Sequence, residues 1–325
     1  MPNWGEVLQE IETEIRSKQT ESQKAANESR AAVDVVRKKY LQALNSYTKR
    51  NVIAYYSGWL QKPGIEGSQI NDDDKNGFMM AIHGFGKDCA KGLDLILHTP
   101  GGGIAATESI VDYLHRKFIN SKKKIDLRVI VPQIAMSAGT MIACASNVIL
   151  MGKQSSLGPI DPQLSGIPAH GVVHEFKQAY EEIKLDNSKL AVWQFILNKY
   201  HPTFLTECQN AINLSEEFAR KNLEKVMFAG KKDAKVRAKK IVDYLTAYTD
   251  RKTHSRHLNI DECKKMGLNI QPLEDDQELQ DLVLTVHHCY MHSLANTHAF
   301  KIIENHKGAA SVRMQLLVPQ AVQPI

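Results

Sequence analysis

Leu93-Asp94-Leu95-Ile96-Leu97-His98-Thr99-Pro100-Gly101-Gly102-Gly103 is the stretch whose reading decides the fold. Its first six residues form a short, mostly apolar run of strand length. Downstream, Ile104 to Phe118 carries helical spacing through Ile110, Leu114 and Phe118, so the tract predicts a buried strand that gives way to a helix across three glycines. Glycines at such a junction let bare backbone approach a ligand, with N–H groups free to face negative charge. A second junction of the same kind follows. Leu127-Arg128-Val129-Ile130-Val131 predicts a strand ending at Pro132. Ser137 then sits among Ala135, Ala138 and Gly139, and an apolar helix continues through Ile142 and Ala145. Small neighbours leave room for a carbonyl beside the serine hydroxyl. Each junction also has a plainer reading, because glycine-rich turns are common in α/β folds and a serine before Ala-Gly is often an N-cap. Their order and spacing favour the pair, an oxyanion hole facing a serine nucleophile.

The Thr-Pro-Gly-Gly tract, the serine in a small-residue turn one strand-helix-strand later, and Ser156-Leu157-Gly158-Pro159-Ile160-Asp161 resemble the Clp protease/crotonase superfamily. Within it the chain is most similar to the soluble serine dehydrogenase proteinase group, relatives of signal peptide peptidase A that lack its membrane anchor. The resemblance covers about residues 50 to 275. It implies an α/β fold with a spiral core of repeated ββα units and added N- and C-terminal helices. It also implies a serine peptidase, ATP-independent in itself and needing no cofactor. Ser137 would attack the scissile carbonyl while the N–H groups of Gly102 and Ala138 hold the oxyanion, each donor worth about 3 kcal/mol. Gly101 and Gly158 would support these groups.

The general base is less plainly written. Alignment to the Clp proteolytic subunit puts Gly158 where its histidine stands, and no histidine occurs from Ala138 to Ala169. Signal peptide peptidases use a lysine some fifty residues beyond the serine, in a tract that Ile183-Lys184-Leu185-Asp186-Asn187-Ser188-Lys189 resembles. Lys189 is therefore the first choice. A lysine can accept the serine proton only if burial depresses its pKa, and the alternative is a solvated loop lysine. The rival is His254, in Thr253-His254-Ser255-Arg256-His257-Leu258, which needs little tuning to act near neutrality but is equally readable as a satisfied loop histidine. Asp161 could orient such a partner, or could simply serve its Asp-Pro turn.

Composition agrees with a folded enzyme. The 325 residues are 43% hydrophobic, enough for one large α/β domain with helical additions. The net charge of +5 is mild, but Arg220, Lys221, Lys225, Lys231, Lys232, Lys235, Arg237, Lys239 and Lys240 crowd one helical region. Only Phe228 interleaves them, so a stacking platform for nucleic acid is poorly supported, and an acidic partner or a solvated face fits better. Five scattered cysteines without a C-x-x-C pair favour a reducing compartment. Among thirteen histidines, His170/His174 and His288/His292 have one-turn spacing but no H-E-x-x-H context, so no metal site is expected. His170 and His174 follow the Gly158 loop closely enough to border a substrate groove. The uncharged run Val129 to Gly152 parses as strand, nucleophile helix and strand, not a membrane span. Met1 to Glu6 lacks the basic and apolar regions of a secretion signal, so a cytoplasmic protein is expected.

Three regions follow. Residues 1–50 form a helical arm with stripes of Leu8, Ile11, Ile15 and of Val33, Val36, Tyr40, Leu44, Tyr47, suited to an interface or to packing back on the domain. Residues 51–275 form the peptidase domain, opening with the strand Val52 to Tyr56 and a Gly- and Asp-rich loop from Gln61 to Asp74. Residues 276–325 form a C-terminal helical extension, its helix running from about Asp275 to Glu304, and a tail. The resemblance implies a homo-oligomer and a peptide or unfolded protein as substrate, while the N-terminal stripes suit the N-terminal helix to a protein partner. Ile104, Met136 and Leu157 would line an apolar groove. A crotonase-type acyl-CoA enzyme would share the oxyanion hole without needing Ser137, and a peptide-binding scaffold would bind without turnover.

Overall fold

The computed structural model describes residues 4–17, 25–164, 166–246 and 256–315. The apolar runs become parallel strands: β1 (Asn51–Ser57), β2 (Leu93–His98), β3 (Leu127–Val131), β5 (Val148–Met151) and β9 (Ile270–Pro272) lie side by side in that order. Every residue of β1 and β2 is buried, as expected for parallel strands covered on both faces. Alternate residues feed two cores. Ile53, Tyr55, Leu95, Leu97, Val129 and Ile149 point into the larger, and Val52, Ala54, Tyr56, Ile96, Ile130 and Leu150 into the smaller.

The superfamily's ββα unit is repeated along this sheet. The first four parallel strands are each followed by a shorter extended piece in a second layer and then by helix. After β1, Ile70 bridges to Gly102 and α3 (Asp73–His83) follows. After β2, Thr99 bridges to Ala135 and α4 (Ile104–Lys117) follows. After β3 come β4 (Ile134–Ala135) and α5 (Ala138–Cys144), and β4 pairs in parallel with β6 (Ser156–Leu157), which follows β5. The small hairpin β7 (Gln163–Leu164) and β8 (Ile167–Pro168) leads into a helical stretch. It comprises α6 (Ala169–Leu185), α7 (Leu190–Leu197), α8 (Phe204–Asn222) and α9 (Ala234–Thr246). Leu258 then pairs antiparallel with Leu157, ahead of α10 (Ile260–Met266).

Both chain ends fold back onto the sheet. The helices α1 (Trp4–Ser17) and α2 (Ala25–Thr48) pack on α11 (Gln277–Asn296), with Leu41 and Leu44 entering the smaller core and Val7, Ile11, Val33 and Val36 clustering around Cys289. Of the residues in the N-terminal stripes, Ile11, Val33, Val36 and Leu44 thus pack on the chain's own domain. Arg37 is buried there against Glu304, which also accepts from Tyr290 Oη at 2.9 Å.

The C-terminal helix is shorter than its apolar periodicity suggests. It ends at Asn296, with Thr297 extended, and residues read as its last turns form β10 (Ala299–Asn305). β10 pairs antiparallel with β1 and with β11 (Ala310–Met314), giving a seven-stranded sheet in the order β11-β10-β1-β2-β3-β5-β9. Helical and strand apolar residues run on without a break in composition, so periodicity did not mark the switch. Gly308, at φ 90°, lies in the turn between the two strands.

Candidate active site

Ser137 stands on a sharp strand-to-helix elbow between β4 and α5. Its φ of 51° and ψ of −114° lie in a region that costs a non-glycine residue of order 1–3 kcal/mol, so the surroundings must impose them. They do so through a dense set of main-chain bonds. Thr99 N donates to Ile134 O (3.2 Å), Met136 N to Thr99 O (3.0 Å), Gly139 N to Met136 O (2.7 Å) and Met141 N to Ser137 O (3.1 Å). All seven residues of α5 are buried, which anchors the elbow in the larger core. Ser137 itself is half-buried.

The glycine tract lies against this elbow. A Cβ on Gly101, whose φ is 98°, would meet Ser137 Cβ at 2.7 Å and Met136 O at 2.8 Å, so only glycine fits. Two of the tract's three N–H groups are already engaged. Gly101 N donates to Thr99 Oγ1 (3.1 Å) and Gly103 N to Ile70 O (2.9 Å). Gly102 N–H has no hydrogen-bond partner among the described residues, and neither does the N–H of Ala138, which opens α5. These are the two N–H groups to which the resemblance gives the oxyanion. Thr140 ties the elbow to the Gly158 loop, accepting from Gly158 N (3.0 Å), with its own hydroxyl 2.8 Å from Gly158 O.

The remaining candidates are placed as follows. Asp161 is 4% exposed, and burial pushes its carboxyl up to about 6 against a smaller opposing pull from the His170 backbone N–H. His170 Nε2 lies 3.8 Å from Asp161 Oδ1, and burial holds the His170 pKa below its ordinary value. Lys189 ends the turn between α6 and α7. Its side chain is 47% exposed and Nζ pairs with Glu182 at 3.2 Å, while Trp193 Nε1 donates to the same carboxylate oxygen at 3.1 Å. Among the described residues, no side chain hydrogen-bonds to the Ser137 hydroxyl, so the single chain brings neither Lys189 nor Asp161 to it. His254 lies outside the described residues. Of the expected groove residues, Ile104 and Met136 are half-buried, but Leu157 is wholly in the core and lines nothing.

One element of the site was not found by sequence reasoning. The segment read as a Gly- and Asp-rich loop brings Ile70 against Gly102, Ile70 N donating to Gly101 O at 2.8 Å. The available signal was Ile70 itself, an isolated aliphatic residue between Ile65 and Phe78 in a polar stretch. Among the described residues, no helix is long and apolar enough to cross a membrane.

Two curated proteins of Methanocaldococcus jannaschii are similar to this chain. Uncharacterized protein MJ0137 is 33% identical over 201 residues, spanning 62% of this chain and 60% of that protein. Uncharacterized protein MJ1495 is 30% identical over 178 residues, 55% of this chain and 51% of that protein. The chain thus spans between half and two thirds of the length of these relatives. Similar solved structures include two of the 1510-N membrane-bound stomatin-specific protease. A serine-to-alanine mutant is 20% identical, covering 66% of this chain and 79% of that one, with a TM-score of 0.37. A lysine-to-alanine mutant in complex with a substrate peptide is 19% identical, covering 65% and 74%, with a TM-score of 0.38. The family described as ClpP-like SDH-type serine proteinase matches residues 27–307, so the chain that carries this serine elbow and glycine tract belongs to that family.

Proposed function

We propose that the protein hydrolyses peptide bonds of peptides or unfolded proteins through an acyl-enzyme on Ser137. The observation that supports this reading is a strained serine elbow that Gly101 touches directly, with two neighbouring N–H groups, Gly102 and Ala138, that have no hydrogen-bond partner among the described residues. Ser137 Oγ adds to the carbonyl carbon and its proton passes to the base. The oxyanion is held by the two N–H groups, and the amine leaves with a proton to give the ester. Water then repeats the sequence to release the acid. A crotonase-type reaction would use the same two donors but gives no reason for a strained serine beside them.

Lys189 is our candidate base, and its setting defines what the reading requires. As an exposed ammonium paired with Glu182 it has no free electron pair. Burial of the α6–α7 arm against another copy of the chain would strip water from it and favour the neutral amine. Supporting this, Leu185, Leu190, Val192 and Phe195 are exposed on that arm, at 86, 47, 63 and 69%. The five cysteines are all free, and four are buried, which suits a reducing, cytoplasmic setting.

The test is intact mass after treatment with a fluorophosphonate, beside Ser137→Ala and Lys189→Ala. Stoichiometric labelling lost in both variants is the expected result, with a wild-type rate that rises into the alkaline range. Labelling that survives Lys189→Ala would remove the dyad and move the base to His254. Absence of wild-type labelling would sink the peptidase reading.

A further inference from the structure

We infer that the buried Asp74–Lys301 pair aims the oxyanion hole by holding residues Gln69 to Asn71 against Gly102, which makes both residues positioning residues for acylation. The inference rests on the peptidase reading above and extends it to the C-terminal hairpin. Lys301 on β10 is 1% exposed and Asp74 in the first turn of α3 is fully buried. Lys301 Nζ donates to both Asp74 oxygens at 3.0 Å and to the main-chain oxygen of Gln69 at 2.7 Å. Asp74 also accepts from Tyr55 Oη (2.8 Å) and from the N–H of Asn71 (3.1 Å), and Arg313 of β11 lies 3.3 Å from its Oδ1. Arg313 reaches the Asn71 side chain as well, at 3.2 Å. Residues 69 and 71 are therefore gripped on both sides of Ile70.

The grip reaches the donor through one peptide plane. A trans peptide directs its C=O and N–H to opposite sides. Ile70 N donates to Gly101 O, so the N–H of Gly102, which shares that peptide, must point away from Ile70. Gly101 lies against Ser137 at the same turn, and a Cβ on Gly102 would meet Ile70 N and O at 2.3 Å, so the plane has no room to tilt back. Accepting a bond at Gly101 O also polarises the same peptide and strengthens its N–H as a donor. A buried ion pair is a weak source of net stability compared with an apolar pair of similar volume. An apolar pair, however, could not fix the Gln69 carbonyl or the Asn71 N–H.

The experiment compares fluorophosphonate labelling of wild type, Lys301→Met, Asp74→Asn and the milder Arg313→Leu, separating kinact from KI. Amide exchange over residues 69–71 and 101–103 is followed in parallel. Arg37→Met is the control, because it breaks a buried ion pair at Glu304 of the same strand without touching residues 69–71. Kinact should fall 10- to 100-fold in Lys301→Met and Asp74→Asn, and a few-fold in Arg313→Leu. KI should stay within about twofold, and exchange should accelerate in both segments. The control should lose thermal stability at unchanged kinact. Wild-type kinact in a folded Lys301→Met protein, or an equal loss in Arg37→Met, would overturn the inference. If Lys301→Met does not fold, Arg313→Leu decides by the same criteria. A wild type that does not label would instead overturn the peptidase reading, and exchange alone would then decide whether the pair holds the strand.

Discussion

Asp161 shows how a single residue can be legible in type but not in role. The tight Gly-Pro-Ile-Asp-Pro turn drew notice to it, yet only the fold shows a carboxyl 4% exposed beside His170. Its folded pKa, about 6, is above the ordinary carboxylate value, so the native state binds the proton more tightly than the unfolded chain. The sign follows from linkage: its favourable contribution is present in acid and is lost as pH rises through about 6, where ionisation penalises the native state. Asp161→Asn should therefore be more favourable at pH 8 than at pH 4, by about 1–2 kcal/mol in unfolding free energy. Comparing urea unfolding of both proteins at the two pH values cancels the pH-independent cost of the amide. A variant that is relatively less stable at pH 8 would show instead that the carboxylate is paired there. The serine elbow and the glycine tract against it were legible because strand, glycine and small-residue patterns encode them locally. The setting of Lys189 was not, because its exposure and its pairing with Glu182 depend on how α6 and α7 pack, which no local pattern records.

Among elements, strands with continuous apolar runs were readable, and pieces held by only one or two bridges were not. Ile70 and Leu258 each pair through an isolated bridge, in segments whose polar composition reads as loop. Leu258 matters because Leu157 N donates to its oxygen (3.0 Å) and its own N–H returns a bond to Leu157 O (2.8 Å), immediately before Gly158. What holds Leu258 is the start of α10. Asn259 accepts from the N–H groups of Asp261 and Glu262, both at 3.0 Å, and Glu262 accepts from Asn259 N–H at 3.2 Å. Asn259→Ala should cost about 1 kcal/mol, measured by urea unfolding, as expected for a lost N-cap. It should also speed exchange of the Leu157 and Leu258 amides. Unchanged exchange there would mean that the bridge is held by β6 and not by the cap.

At the scale of the whole molecule, the family resemblance implies an assembly built by the added helices, and the apolar faces of those helices divide into two kinds. Those of α2 and α11 are spent inside the chain, on the sheet and on each other. Those of the α6–α7 arm are not: α7, Leu-Ala-Val-Trp-Gln-Phe-Ile-Leu, buries only Trp193, while Tyr180 on α6 is 64% exposed. Each such side chain would gain about 1.5–3 kcal/mol on full burial, and several large apolar side chains exposed on one short arm mark an association surface. We expect the protein to sediment as an oligomer. Leu185→Ser combined with Phe195→Ser should shift it toward the 36.5 kDa monomer. Because Lys189 lies between these two positions, the same variant links assembly to chemistry. If the arm's burial creates the base, fluorophosphonate labelling should slow at least tenfold in the dissociated variant and recover as protein concentration drives reassociation. Labelling at the wild-type rate in a monomeric variant would separate the two and leave the arm a purely structural contact. A wild type that sediments as a monomer yet labels would remove the arm from the base altogether.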